Sequence, residues 1–134
     1  MIFSEKELYS IYELGKLYYD MGYFSAAERV FSGLIEIDGG DTPSLLGLGL
    51  VKFERGQYEE ASLLFMKVMD KTPEFELEAR IALGICLVAL KDYPKARVVL
   101  EDVTTRLGDS SSQTYKLASA YYKKAQSETS LPAI

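Results

Sequence analysis

The chain has 134 residues, of which 48% are hydrophobic and 26% charged, so it can bury a modest core and is not of disordered composition. Its net charge of −5, with no clear basic patch, argues against nucleic acid and against an anionic lipid surface. It contains no histidine, which removes the usual general base near neutral pH and the commonest metal ligand. Cys86 is the single cysteine, so no internal disulfide can form. The opening "MIFSEKELYS" has neither a basic n-region nor an apolar h-region, so no secretory signal is visible. The longest uncharged runs, 42–51 and 81–90, are about half the length that crosses a bilayer.

Helix signals follow in chain order. Ser4 and Glu7 have capping-box spacing, with Phe3 and Leu8 placed as a hydrophobic staple. The first helix is expected to run to about Tyr19, and Met21-Gly22-Tyr23 turns the chain. A second helix is expected over 24–37, closed by "DGGD". Thr42 is placed to cap the third, with Pro43 at its first position. "RGQY" turns the third helix into the fourth, which stops before Thr72-Pro73. A fifth is expected over 74–90. Asp92 is placed to cap the sixth, which carries Pro94 in its first turn and stops at Gly108. Ser110 and Gln113 offer a capping box for a last helix over about 111–126, and 127–134 reads as a loose tail.

The stretch "LLGLGLVKF", 45–53, resists this reading, because Leu and Gly alternate as in a half-buried strand. Internal repetition settles it as helix. Gly15, Gly22, Ala27 and Phe31 recur 34 residues later as Gly49, Gly56, Ala61 and Phe65. Gly49, Tyr58, Ala61 and Phe65 recur after 35 more as Gly84, Tyr93, Ala96 and Leu100. That period belongs to helix-turn-helix repeats. Three repeats are expected at about 8–41, 42–75 and 77–110. The small residues should let paired helices approach closely, and the large ones should fill the space between repeats. Gly47 has no small counterpart in the first repeat, where Glu13 stands, and it is read as an opening for a ligand backbone. On that reading Gly47→Leu weakens binding and stabilises the free helix.

No catalytic constellation stands out, so no enzyme activity, cofactor or metal is expected. Glu59-Glu60 and Glu74, Glu76 and Glu78 read as solvated carboxylates. Cys86, among apolar neighbours, reads as a buried structural thiol. The "GLG" lies inside a helix and lacks the Gly-Lys that follows in a phosphate loop. Asp38 and Asp41 lack the spacing of a calcium loop.

With Leu14, Gly15, Tyr18, Ala27 and Phe31, then Leu48, Gly49, Ala61, Phe65 and Pro73, then Leu83, Gly84, Leu87 and Ala96, the chain resembles the tetratricopeptide repeat (TPR). The resemblance implies an all-α fold. Three repeats and a C-terminal capping helix would form a right-handed superhelical array with a concave groove. It implies groove positions at Tyr9, Tyr12, Lys16, Tyr19 and Asp20; at Leu46, Gly47, Leu50, Phe53 and Glu54; and at Glu78, Ile81, Ile85 and Val88. The clamp that grips acidic chaperone tails would need cations or amides at Tyr12, Lys16, Gly47, Glu78 and Ala82, and only the lysine could serve. An apolar groove with a tyrosine-rich end remains, and the first helices of repeats two and three are apolar all round. A protein partner is therefore expected, an apolar or amphipathic helix or extended segment, with self-association of the unliganded chain. The tyrosines could instead pack on the chain's own tail or on a second copy, and the last helix could cover part of the groove.

The "VFSGLIEID" helix end, the "LLGLGL" helix and the "GQYEEA" turn further resemble the small three-repeat chaperones of bacterial type III secretion. That resemblance implies a cytoplasmic chaperone holding an export substrate, either a translocator or the needle subunit. A needle client would come with a second small helical co-chaperone. Only about seven residues precede the first repeat, which leaves no room for the N-terminal dimerisation helix of the translocator branch and leans toward the needle branch. The alternative is a TPR adaptor that assembles a lasting complex.

Overall fold

A computed structural model describes residues 2–108 and 112–129. Among them the chain forms seven α-helices: α1 (Glu5–Asp20), α2 (Phe24–Asp38), α3 (Ser44–Glu54), α4 (Tyr58–Lys71), α5 (Glu76–Ala89), α6 (Tyr93–Leu107) and α7 (Gln113–Thr129). Each helix packs on the next in sequence. The first helices of successive pairs also touch, α1 with α3, α3 with α5, and α5 with α7.

Local chemistry sets most of the boundaries. Ser4 and Glu7 form the reciprocal capping box, with Glu7 N–H donating to Ser4 Oγ at 3.1 Å and Ser4 N–H donating to Glu7 Oε1 at 3.0 Å. The loop before α3 departs from expectation. Thr42 does not cap, and α3 begins at Ser44 with no side-chain cap. The Asp38 carboxylate organises the loop instead, accepting the Gly40 N–H at 2.8 Å and the Thr42 N–H at 3.1 Å. The Thr42 hydroxyl is spent on Ser44 Oγ. Asp92 stands at the start of α6 without a side-chain cap bond and pairs with Lys95. The fifth helix starts later than expected, because Pro73–Phe75 forms a 3-10 turn ahead of Glu76. The capping box assigned to Ser110 lies outside the described residues. Ser112 takes that part, its Oγ accepting the Tyr115 N–H at 3.1 Å. The last helix runs on to Thr129, so residues 127–129, expected as tail, are helical.

The repeat glycines mark where helix pairs close up. A methyl group at Gly15 would lie 2.8 Å from Phe31 Cε1, and one at Gly49 would lie 2.6 Å from Phe65 Cε1. At Gly84 it would strike Leu100. Ordinary carbon contacts are about 3.5–4.0 Å, so no side chain fits at these three positions. Phe31, Phe65 and Leu100 are fully buried. At roughly 25 cal/mol per Å2 of apolar surface, each contributes about 2–3 kcal/mol of burial energy. The third turn between helices meets the same backbone demand without a glycine. Gly22 and Gly56 have φ of 81° and 73°, and Lys91 takes their place with φ 62°.

Ion pairs fasten the helices along the surface. Lys52 of α3 reaches Glu28 of α2 at 2.8 Å and Glu60 of α4 at 3.2 Å. Arg80 and Arg106 converge on Glu76, at 2.7 and 2.8 Å, and tie α5 to α6. Those two guanidiniums hold the Glu76 carboxyl down at about 2.

Candidate protein-binding groove

The tyrosine-rich end forms on α1 against α3. Tyr9 packs edge-on to Tyr12 with ring centroids 5.9 Å apart, and Tyr12 leans on Phe31. About two helical turns beyond Tyr12, the Tyr19 hydroxyl donates to Glu54 Oε1 at 3.1 Å and joins the ends of α1 and α3. Burial, the bond to Glu54 and that carboxylate's charge push the Tyr19 phenol up to about 12. Burial also raises Tyr12, with smaller contributions from Tyr9, from Glu78 on α5, and from Asp20 and Glu13. Both rings therefore stay protonated; the Tyr19 proton is given to Glu54, and the Tyr12 hydroxyl is a donor for whatever occupies the strip. A small cleft of about 90 Å3 opens here, bounded by Tyr12, Lys16, Tyr19 and Asp20 on α1 and by Leu46, Gly47 and Leu50 on α3.

The expected groove residues divide into two groups. Tyr9 is 49% exposed, and Tyr12, Tyr19, Leu50, Phe53 and Val88 are half-buried. Lys16 is exposed. Leu46 and Ile81 are not free, at 6% and 8% exposed. Leu46 belongs to the core cluster built on Phe65, Val68 and Cys86. Ile81 packs with Val103 of α6 and Ala118 of α7, and Ile85 lies against the same cluster. The last helix thus takes the position that the first helix of a fourth repeat would take. It stands on the third-repeat end of the expected groove. Ala118 and Ala125, fully buried, let it sit close. Lys116, Lys123 and Lys124 remain exposed on its outer side.

Gly47 also reads differently in three dimensions. A methyl group there would lie 2.6 Å from Phe31 Cζ and 2.7 Å from Cε1. The ring of Phe31 fills the room that the missing side chain leaves, so Gly47 closes the joint between repeats one and two. A leucine at Gly47 would displace that ring rather than stabilise the helix. The signal was present in the sequence only as a pairing of Phe31 with two glycines, Gly15 and Gly47, and repeat alignment links Phe31 to the first alone.

Acidic groups surround the open strip. Glu5, Asp38, Asp41 and Glu74 border a cleft of about 320 Å3 beside Leu8 and Tyr9. Asp20 and Glu54 stand at the Tyr19 end, and Glu78 lies close enough to raise the Tyr12 phenol.

A larger cleft, about 510 Å3, lies elsewhere. It opens between α4 and α6 over the floor of Leu83 and Leu87, with Met66, Pro94 and Val98 on its walls. An apolar segment laid along helices needs an open trough rather than an enclosed cavity, so volume does not rank these two surfaces.

Cys86 is fully buried, and burial pushes its thiol up to about 11, so at neutral pH it is a thiol and not a thiolate. Among the described residues no group of three or more His, Cys, Asp or Glu is placed to hold a metal ion. No helix among them is long and apolar enough to cross a membrane.

Solved structures with this architecture include bacterial secretion chaperones. The translocator chaperone SycD of Yersinia enterocolitica superposes with a TM-score of 0.86 at 20% identity, over 97% of this chain and 90% of that one. PcrH of Pseudomonas aeruginosa superposes at 0.80 with 22% identity, over 93% of this chain and 96% of that one. PcrH has been solved with the chaperone-binding region of PopD, and SycD with a peptide of the translocator YopD. Among curated sequences, the CTR9 homolog of Arabidopsis thaliana is 27% identical over 89 residues, which are 66% of this chain and 8% of that protein. Tetratricopeptide repeat models match residues 52–121 and 8–41, and with seven helices packed in sequence the chain belongs to the tetratricopeptide repeat family.

Proposed function

We propose that this protein is a cytoplasmic chaperone of type III secretion. It holds an apolar or amphipathic segment of an export substrate on the concave face of α1, α3 and α5 and prevents premature assembly. The observation that carries this reading is the strip of Tyr9, Tyr12, Tyr19, Leu50 and Phe53. It stays partly exposed after the chain's own α7 has taken the far end of the row. Such a strip is covered by another chain in a well-behaved protein. Tyrosine suits its edge, because the ring buries area while the hydroxyl keeps a polar partner. The likeness in fold to SycD and PcrH, both solved with translocator segments, supports a translocator as client. A needle subunit, with a second small helical chaperone, is the other client of the same chemistry. No nucleotide, metal or catalytic group takes part. Without its client the chain is expected to self-associate.

The test is purification from the cell that makes the protein, with identification of what comes along. A secretion substrate bound to the native chain and lost from Leu50→Asp, with helicity retained, supports the proposal. The released client should then aggregate or polymerise. A partner that Leu50→Asp still holds, or one that persists in a soluble assembly without this chain, overturns it in favour of an adaptor.

A further inference from the structure

The open strip is apolar along its floor, yet its borders are acidic at both ends. At the Tyr9 end, Glu5, Asp41 and Glu74 line one cleft. At the Tyr19 end stand Asp20 and Glu54. Lys16 is the one cation lining either cleft. Lys71 reaches the neighbouring loop, but it donates to the Gly39 carbonyl at 2.6 Å and lines neither cleft. Elsewhere the carboxylates are mixed: Glu36, Glu59, Asp70 and Glu101 take part in no ion pair among the described residues, and others are paired. Glu28 and Glu60 pair with Lys52, Glu76 and Asp102 with Arg80 and Arg106, and Glu128 with Lys124. None of the five bordering acids takes part in an ion pair among the described residues. Carboxylates left without cations on both rims of an apolar floor repel each other and wait for charge from outside.

We propose that the segment held in this groove is apolar in its middle and carries Lys or Arg on both flanks. The flanking cations pair with Glu5, Asp41 and Glu74 at one end and with Asp20 and Glu54 at the other. This rests on the groove reading above and specifies the chemistry of its occupant. The 16 residues from Glu5 to Asp20 span about 22 Å along α1. The two cations therefore stand about 15 residues apart on a helix, or about seven on an extended chain. The borders do more for selection than for holding. They raise the encounter rate for basic segments and reject acidic ones, while the apolar floor supplies residence time.

The test uses the full chain as bait for a displayed library of random peptides about 20 residues long, enough for two cations that far apart. Enriched sequences are then measured by fluorescence anisotropy. The expected winners have an apolar core bracketed by Lys or Arg. Their affinity should fall at least about tenfold when salt rises from about 50 to about 500 mM. It should fall by a similar factor for Glu54→Lys/Glu74→Lys. It should also be lost in Leu50→Asn, which leaves the charge unchanged, and reduced in Tyr9→Ser, whose half-exposed ring can be removed without opening the core. Winners without net positive charge that Leu50→Asn and Tyr9→Ser still lose would overturn the charge proposal and leave the groove reading standing. Basic winners bound equally well by both variants would show attraction to an acidic surface only, and would overturn both. A library with no enriched sequence would also overturn both.

Discussion

The joint between repeats one and two can be tested with a single methyl group. Gly47→Ala puts a carbon 2.6 to 2.8 Å from three atoms of the Phe31 ring. Ordinary contact needs about 3.5 Å, so the ring must retreat by close to 1 Å. It has nowhere to go. Its Cε1 already stands where a methyl on Gly15 would come within 2.8 Å, and the side chain is only 2% exposed. Overpacking of this kind costs about 1–3 kcal/mol. Replacing a helix-interior glycine by alanine returns about 1 kcal/mol. Gly47→Ala should therefore destabilise the protein by about 1 kcal/mol. In a Phe31→Leu background the ring is gone, and the same substitution should stabilise by about 0.5–1 kcal/mol. Urea unfolding followed by circular dichroism on the four proteins closes the cycle. A coupling of about 1–3 kcal/mol is expected. Effects that add within about 0.5 kcal/mol would refute the wedge and return Gly47 to an open surface.

Three more outcomes follow from the same geometry. Lys91→Gly should raise stability by about 1 kcal/mol, because a left-handed backbone costs a lysine about that much relative to glycine; an unchanged urea midpoint would count against the turn. Glu76 has its carboxyl lowered from 4.5 to about 2 by Arg106 and Arg80. Its contribution to stability is therefore full above 4.5 and lost as pH falls toward 2, and Glu76→Gln should flatten the acid limb of the stability curve across that window. Ile81→Asp should unfold the α5–α7 joint and lose cooperativity, whereas Leu50→Asp should keep its helicity; if the two variants behave alike, the division of the groove by α7 is wrong.

The architecture was readable because repetition is a long-range signal carried in local residues. Gly15, Gly49 and Gly84 stand against Phe31, Phe65 and Leu100 in the same helix pair, so one period exposes all three contacts. What the sequence concealed is contact between pairs. Gly47 meets Phe31 across a repeat boundary, and nothing in a 34-residue period links those two positions. Ile81 looked like a groove residue by register, but α7 follows the repeats at a spacing of its own, and only packing shows that Ile81 is covered while Ile85 stays half-buried. Lys91 was invisible for a different reason. Its backbone demand is that of Gly22 and Gly56, yet its residue type does not announce it. Thr42 failed as a cap because Asp38, four residues earlier, holds its backbone N–H, and its hydroxyl turns to Ser44 Oγ instead of to a backbone N–H of α3.

The arrangement of neighbours has a mechanical corollary for α1. Every other first helix is flanked on both sides, whereas α1 leans on α2 and touches α3 through few points, the Tyr19–Glu54 bond among them. In a stack whose stability is a sum of nearest-neighbour terms, the end unit is the first to open. The wall that carries Tyr9, Tyr12 and Tyr19 is thus the part of the array whose amide hydrogens should exchange soonest. A segment seated against it would supply the missing second flank, so occupancy would be recorded as slowed exchange along α1 with little change in α5 to α7.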